Sequence, residues 1–159
     1  MQYSKTAAAA GLLMLLNTVP AAAETGAKAK IVNPDGLYDP APYGYSHAVI
    51  STNAGSLAHI AGQGGENSSG ELAADFEGQV AQAYANLSAA LAAAGARPDQ
   101  VVKINTYVVD YNQSMLSVMT KHVVKTFGDH LPAQTLVPVP RRAIDGMRFE
   151  VDAIAVLDD

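Results

Sequence analysis

Apolar residues recur along the chain with two different periods, and the places where the period changes divide it into elements. Phe76, Val80, Ala83, Tyr84, Leu87 and Leu91 lie at offsets of four, seven, eight, eleven and fifteen. This is one face of a 3.6-residue repeat, so a long helix is predicted, closed by Gly95 and filled out by helix-favouring alanines. A second helix is predicted through Met115, Val118, Met119, His122 and Val123 toward Gly128, with Asn112 or Ser114 as its cap. Between them Pro98-Asp99 turns the chain into Val101–Val109, a run rich in β-branched residues that reads as a strand. His47–Ser51 and Leu57–Ala61 read as two strands joined by Asn53-Ala54-Gly55, which predicts a hairpin. Leu131–Val139 is a further extended segment, Asp145-Gly146 a turn, and Met147–Leu157 the last strand, so a second hairpin is expected at this end. Two helices set among strands pack on one face of a mixed sheet, an α/β (α+β) domain covering 43–159. Val, Ile and Leu occur on both faces of several strands, and the uncovered face is therefore expected to lie against other subunits.

The first 23 residues follow a different logic. Met1–Ala23 carries one base, Lys5, and no acid ahead of an apolar run from Ala7 to Leu16; Val19-Pro20-Ala21-Ala22-Ala23 then supplies the small residues of a cleavage site. That is the pattern of a secretory signal peptide, 1–23, and it implies a periplasmic or secreted protein. A membrane anchor needs about 20 apolar residues, and Asn17, Thr18 and Pro20 interrupt this run too early, so no membrane association is expected after cleavage. Residues 24–42, rich in Ala, Lys, Pro, Asp and Gly, predict an extended arm with little regular structure.

Charge and composition narrow the chemistry. At 159 residues the chain is one domain's length, with a formal charge of −5 that becomes −6 once Lys5 is removed. Without cysteine there is no disulfide, no thiol nucleophile and no metal thiolate site. The acidic balance, and the lack of any basic cluster beyond Arg141-Arg142, argue against nucleic-acid binding, which depends on neutralising phosphates. His47, His59, His122 and His130 show no metal-ligand spacing, so no metal is expected.

Two features can carry chemistry. Glu150 and Asp152 alternate along the final strand and point the same way, roughly 6–7 Å apart. Their face turns apolar at Ile154 and Val156, and a carboxylate at the rim of an apolar pocket is a candidate water-activating base. The alternative is a solvent-facing acidic pair on an amphipathic edge, since buried carboxylates are rare without a partner. Gly62-Gln63-Gly64-Gly65 leaves the strand before it; glycines there let backbone amides approach a ligand, although the spacing is not a nucleotide-binding fingerprint.

Taken in order, Tyr45-Ser46-His47-Ala48-Val49, Ala61-Gly62-Gln63, Gln79 with Ala83 and Asn86-Leu87, Ala94-Gly95-Ala96, Val101-Val102-Lys103, Tyr107-Val108-Val109-Asp110, Leu131-Pro132-Ala133 and Glu150–Ala155 form a pattern that resembles the RidA/YjgF family across about Tyr43–Val156. The resemblance implies a chorismate-mutase-like fold, a homotrimer, small-molecule pockets in the clefts between subunits, and no metal or organic cofactor. Active members hydrolyse enamines and imines such as 2-aminoacrylate to 2-keto acids and ammonia. Carried over by position, the resemblance makes Tyr45 a pocket aromatic, puts the backbone donors on Gly62 with Gln63 beside it as a substrate-binding residue, and makes Glu150 the acid that positions water.

At one position the chain departs from that pattern. The family's deaminases hold the substrate carboxylate with an arginine in a Pro-Ala-Arg-Ser/Thr motif, and here the motif reads Pro132-Ala133-Gln134-Thr135. A neutral amide in place of a bidentate guanidinium costs about 2–5 kcal/mol of carboxylate binding. Arg141 and Arg142 follow Gln134 by seven and eight residues, roughly 23 Å of extended chain, and are expected to form a solvated pair in a turn. Two functions fit. One is an enzyme in which Glu150 holds water and Gln134 hydrogen-bonds a neutral or larger substrate. The other is a non-catalytic trimer that binds a small molecule or a partner in the same clefts.

Overall fold

The computed structural model describes residues 28–158, so the signal segment 1–23 lies outside the described residues. Six strands and two long helices follow one another as β1 (Lys28–Val32), β2 (Ala48–Thr52), β3 (Ser56–Gly64), α1 (Phe76–Ala93), β4 (Val101–Val109), α2 (Met115–Phe127), β5 (Ala133–Val139) and β6 (Phe149–Leu157). The main sheet has the order β3-β6-β4-β5, antiparallel except for the parallel β4–β5 pair. Both helices lie on one face of a mixed sheet, as the periodicity predicts. Alternate residues of the strands supply the floor of the core: Ile104 and Val108 of β4, and Phe149, Val151, Ala153 and Ala155 of β6. Val80, Leu87 and Leu91 of α1 and Met119, Val123 and Phe127 of α2 close it from above.

The helix ends follow from local chemistry. Asp75 caps α1 by accepting from the backbone N–H of Gly78 at 2.7 Å. Ahead of α2, Asn112 Oδ1 accepts from the backbone N–H of Ser114 at 3.1 Å, while Ser114 makes no side-chain cap. Gly128, at φ 57°, stops α2 in a conformation that glycine enters at no steric cost.

Three expectations are corrected. The arm 24–42 contains a strand: β1 pairs antiparallel with β2, Lys30 opposite Ile50. Neither predicted hairpin forms. The chain does turn at Asn53, at φ 53°, but β2 pairs with β1 and β3 pairs along its length with β6. The reason is burial: beside β6, Ala58 and Ile60 of β3 pack against the helix-covered core, whereas most of β2 is exposed. At the other end β5 lies beside β4, which separates it from β6, so residues 140–148 cross the end of β4 instead of closing a tight turn.

On the inner side of the helices, His122 stacks on Tyr84 with ring centroids 6.3 Å apart and is 7% exposed. Burial, aided by the Lys121 charge, holds its pKa below the usual histidine value; Lys125 acts the same way and Glu77 opposes it. The unfolded chain therefore takes up this proton at higher pH than the folded one, so the stability tied to neutral His122 is complete above about pH 6.5 and is lost as pH falls. Urea midpoints of the wild type are expected to drop from pH 7.5 to 5.5, and those of His122→Phe to drop less. Equal slopes for the two proteins would show that another group sets the acid sensitivity.

Candidate functional site

The sheet separates the residues singled out in the sequence into two groups. Gln134 sits beside Ile104 in the parallel β4–β5 register and so faces the helices. Its Nε2 donates to Thr106 Oγ1 at 3.3 Å, and Thr106 is fully buried. With Leu136 it lines a cavity of about 260 Å³ under Met119 and Val123 of α2, closed at the side by Tyr43 and Tyr45. Ser46 fastens that side to the start of β5, its N–H donating to Pro132 O at 3.0 Å and its hydroxyl to Leu131 O at 2.6 Å. Tyr45 is hydrogen-bonded to the Tyr38 hydroxyl and stands edge-on to His47. Burial first, and then the Tyr38 bond, push its pKa up to about 12, so Tyr45 offers the cavity a neutral hydroxyl. The structure thus brings Tyr45 and Gln134 together.

Gly62 and Glu150 form the second group, on the face of the sheet away from the helices. Glu150 lies opposite Tyr107 of β4 and Gly64 of β3. Gly62 falls in the irregularity between Ile60 and Gln63, and any Cβ there would collide with the Glu150 carboxyl. The absence of a side chain at 62 is what gives Glu150 its seat. Asp152 is held two residues on: its Oδ1 accepts from Asn105 Nδ2 at 2.9 Å, and its Oδ2 accepts from the Tyr107 hydroxyl at 3.0 Å. The bond to Asp152, followed by burial, raises the Tyr107 pKa, and the nearby Arg142 charge opposes the rise. Gln63 is engaged locally, its Nε2 donating to Ala61 O at 3.0 Å.

Arg142 belongs to this second group, which corrects the expectation of a solvated basic pair. Arg141 is exposed, but Arg142 forms an ion pair with Glu150, the two side chains being 18% and 17% exposed. Its guanidinium carbon lies 5.0 Å from the centroid of the Tyr107 ring. Gln134, seven and eight residues before the pair, lies on the other face of the sheet. What matters is that residues 140–148 must cross β4 to reach β6, and in doing so they carry Arg142 over Tyr107 and onto Glu150. The only advance signal was weak: Asn105 and Tyr107 alternate with the core positions of β4 and so share a face with Glu150 and Asp152. Among the described residues, no group of three or more His, Asp and Glu is placed to hold a metal ion.

Residues 39–157 match the family described as Endoribonuclease L-PSP. The RutC family protein YjgH of Escherichia coli is 33% identical over 115 residues, 72% of this chain and 84% of that protein. The chain belongs to the RidA/YjgF family. A RutC family protein of Pyrococcus horikoshii is similar at 34% identity, over 73% of this chain and 90% of its own length. Among solved structures, the Rid-family protein YyfB of Yersinia pestis superposes with a TM-score of 0.77 at 34% identity, covering 81% of this chain and 98% of that one. RidA from an Antarctic Psychrobacter gives 0.59 at 28% identity, covering 71% and 88%. Family membership accounts for the mixed sheet and its two helices.

Proposed function

We propose that this protein is an exported, homotrimeric Rid-type hydrolase that acts on an imine or enamine, with Glu150 holding the attacking water. The observation that carries this reading is the seating of Glu150: a largely buried carboxylate, backed by Gly62 and paired with a cation, on a sheet face that neither helix covers. In such a site Glu150 accepts a proton from water as the oxygen adds to the C=N carbon, and the proton passes to nitrogen. Collapse of the carbinolamine expels ammonia and leaves a carbonyl, so imine plus water becomes ketone plus ammonia; an enamine tautomerises to the imine first. The trimer is supported by the same face, where Ile154, Val137 and Val139 are half-buried and Leu57 of the edge strand is 55% exposed, apolar area of the kind that subunit contact removes from water. Export is supported by the composition of 1–23.

The mature chain is expected to scatter light as a trimer and to accelerate ammonia release from freshly generated 2-iminopropionate or from neutral imines. Release at the buffer rate with every imine tried would overturn the enzyme reading. A second reading has its own observation. Gln134 and Tyr45 line a mainly apolar cavity on the side of the sheet opposite Glu150, which suits a trimer that binds a small neutral molecule without turnover. The family description's endoribonuclease activity is not extended to this chain, because a net charge of −5 provides little to neutralise phosphates.

A further inference from the structure

Resting on the reading of Glu150 as the water-holding group, we propose that Arg142 is the anchor for a substrate carboxylate, taking over from the loop 140–148 the task for which this chain has no arginine at position 134. Placement is the first argument. Arg142 touches Glu150, whereas Gln134 faces the helices on the far side of the sheet. The donor inventory is the second. A guanidinium has five N–H donors in a planar fork, and here Nη2 serves Glu150 while the guanidinium carbon lies over the Tyr107 ring. Nε is left buried with no acceptor. Buried donors without partners are rare, and one beside a candidate water-activating carboxylate marks a place for an acceptor. A carboxylate that accepts from Nε and from the adjacent Nη completes the bidentate pair for which arginine is suited.

Space and charge agree with this. Arg142 also lines a hollow of about 310 Å³ at the end of β4, together with Arg141 and Arg148 and with Asp110 and Asp145. Asp152, on the same sheet face, already accepts from Asn105 and Tyr107 and does not compete for Nε. Glu150 does compete for the guanidinium, so an external carboxylate has to share the cation with it. The substrates favoured are therefore small 2-imino or 2-enamino acids, and the neutral cavity around Gln134 is not where their carboxylate binds.

The test uses pyruvate, the keto acid that such a hydrolysis releases, and pyruvamide as its neutral counterpart, titrated into the mature protein and followed by NMR. Wild type is expected to bind pyruvate saturably, and Arg142→Gln to bind it at least about 30-fold more weakly with pyruvamide unchanged. Arg142→Lys, which keeps the charge but not the fork, should fall between them. Glu150→Gln leaves only a neutral acceptor as internal competitor and should bind pyruvate as tightly as wild type or more tightly. If Arg142→Gln does not fold, because Glu150 is left without a partner, the Arg142→Gln/Glu150→Gln double variant compared with Glu150→Gln makes the same measurement. Equal pyruvate affinity with and without Arg142, loss of pyruvate and pyruvamide together, or no saturable binding by wild type would overturn the proposal. Pyruvate binding that needs Arg142 without any imine turnover would remove the enzyme reading and leave the anchor. Turnover indifferent to Arg142 would do the reverse.

Discussion

Glu150→Gln is expected to lower imine hydrolysis by about 10²- to 10⁴-fold, the range that a positioned general base contributes, while the protein stays folded and assembled. The substitution keeps the shape of the side chain above Gly62, so no new clash arises at the sheet. It removes the capacity to take a proton from water at a carboxylate largely buried beside a cation. An amide oxygen can still accept from Arg142, which limits the cost of leaving that guanidinium without its charge partner. Stopped assays of ammonia release, with thermal melting run alongside, give the comparison. Loss confined to turnover supports Glu150 as the base, whereas wild-type turnover in Glu150→Gln would move the chemistry elsewhere, with the cavity at Tyr45 and Gln134 the next place to look.

Phe149→Ala should have the largest effect on stability, about 3–5 kcal/mol. Phe149 is 0% exposed; it stands edge-on to Phe76 at 6.2 Å and tilts against Tyr84 at 5.9 Å. Both neighbours belong to α1, so this ring is a main point at which the helix layer is keyed to β6. Truncation loses the transfer energy of the ring and leaves a cavity that the helix and sheet, fixed elsewhere by Leu87, Val80 and Ile104, cannot collapse to fill. Against a total stability of about 5–15 kcal/mol for a domain of this size, that is a large fraction. Urea denaturation measures it directly. A shift under about 1 kcal/mol would mean that the two layers are held chiefly by other contacts.

Residue 149 and residue 150 are neighbours in the chain with unrelated tasks, and this shows where sequence reasoning succeeds and where it stops. Alternation along β6 sends Phe149 into the core and Glu150 to the opposite face whatever surrounds them, so the pairing of Glu150 with Asp152 on one face was legible from spacing alone. The same holds for α1 and α2, whose apolar periods are local properties, and for the mixed sheet with helices on one side. Strand partners were not legible. Asn53-Ala54-Gly55 and Asp145-Gly146 read correctly as places where the chain turns, yet β2 went to β1 and β5 to β4, because pairing depends on which edge offers core to cover and not on nearness in sequence. The site inherits that difference. The chain by itself determined that Glu150 and Gln134 stand on extended segments, while Gly62, read as leaving its strand, lies within β3. Only the tertiary structure decided that a sheet lies between Gln134 and Glu150, and that the crossing of β4 by 140–148 brings Arg142 onto Glu150. Burial and charge pairing between distant segments act after the strands have chosen partners, and neither leaves a period in the sequence.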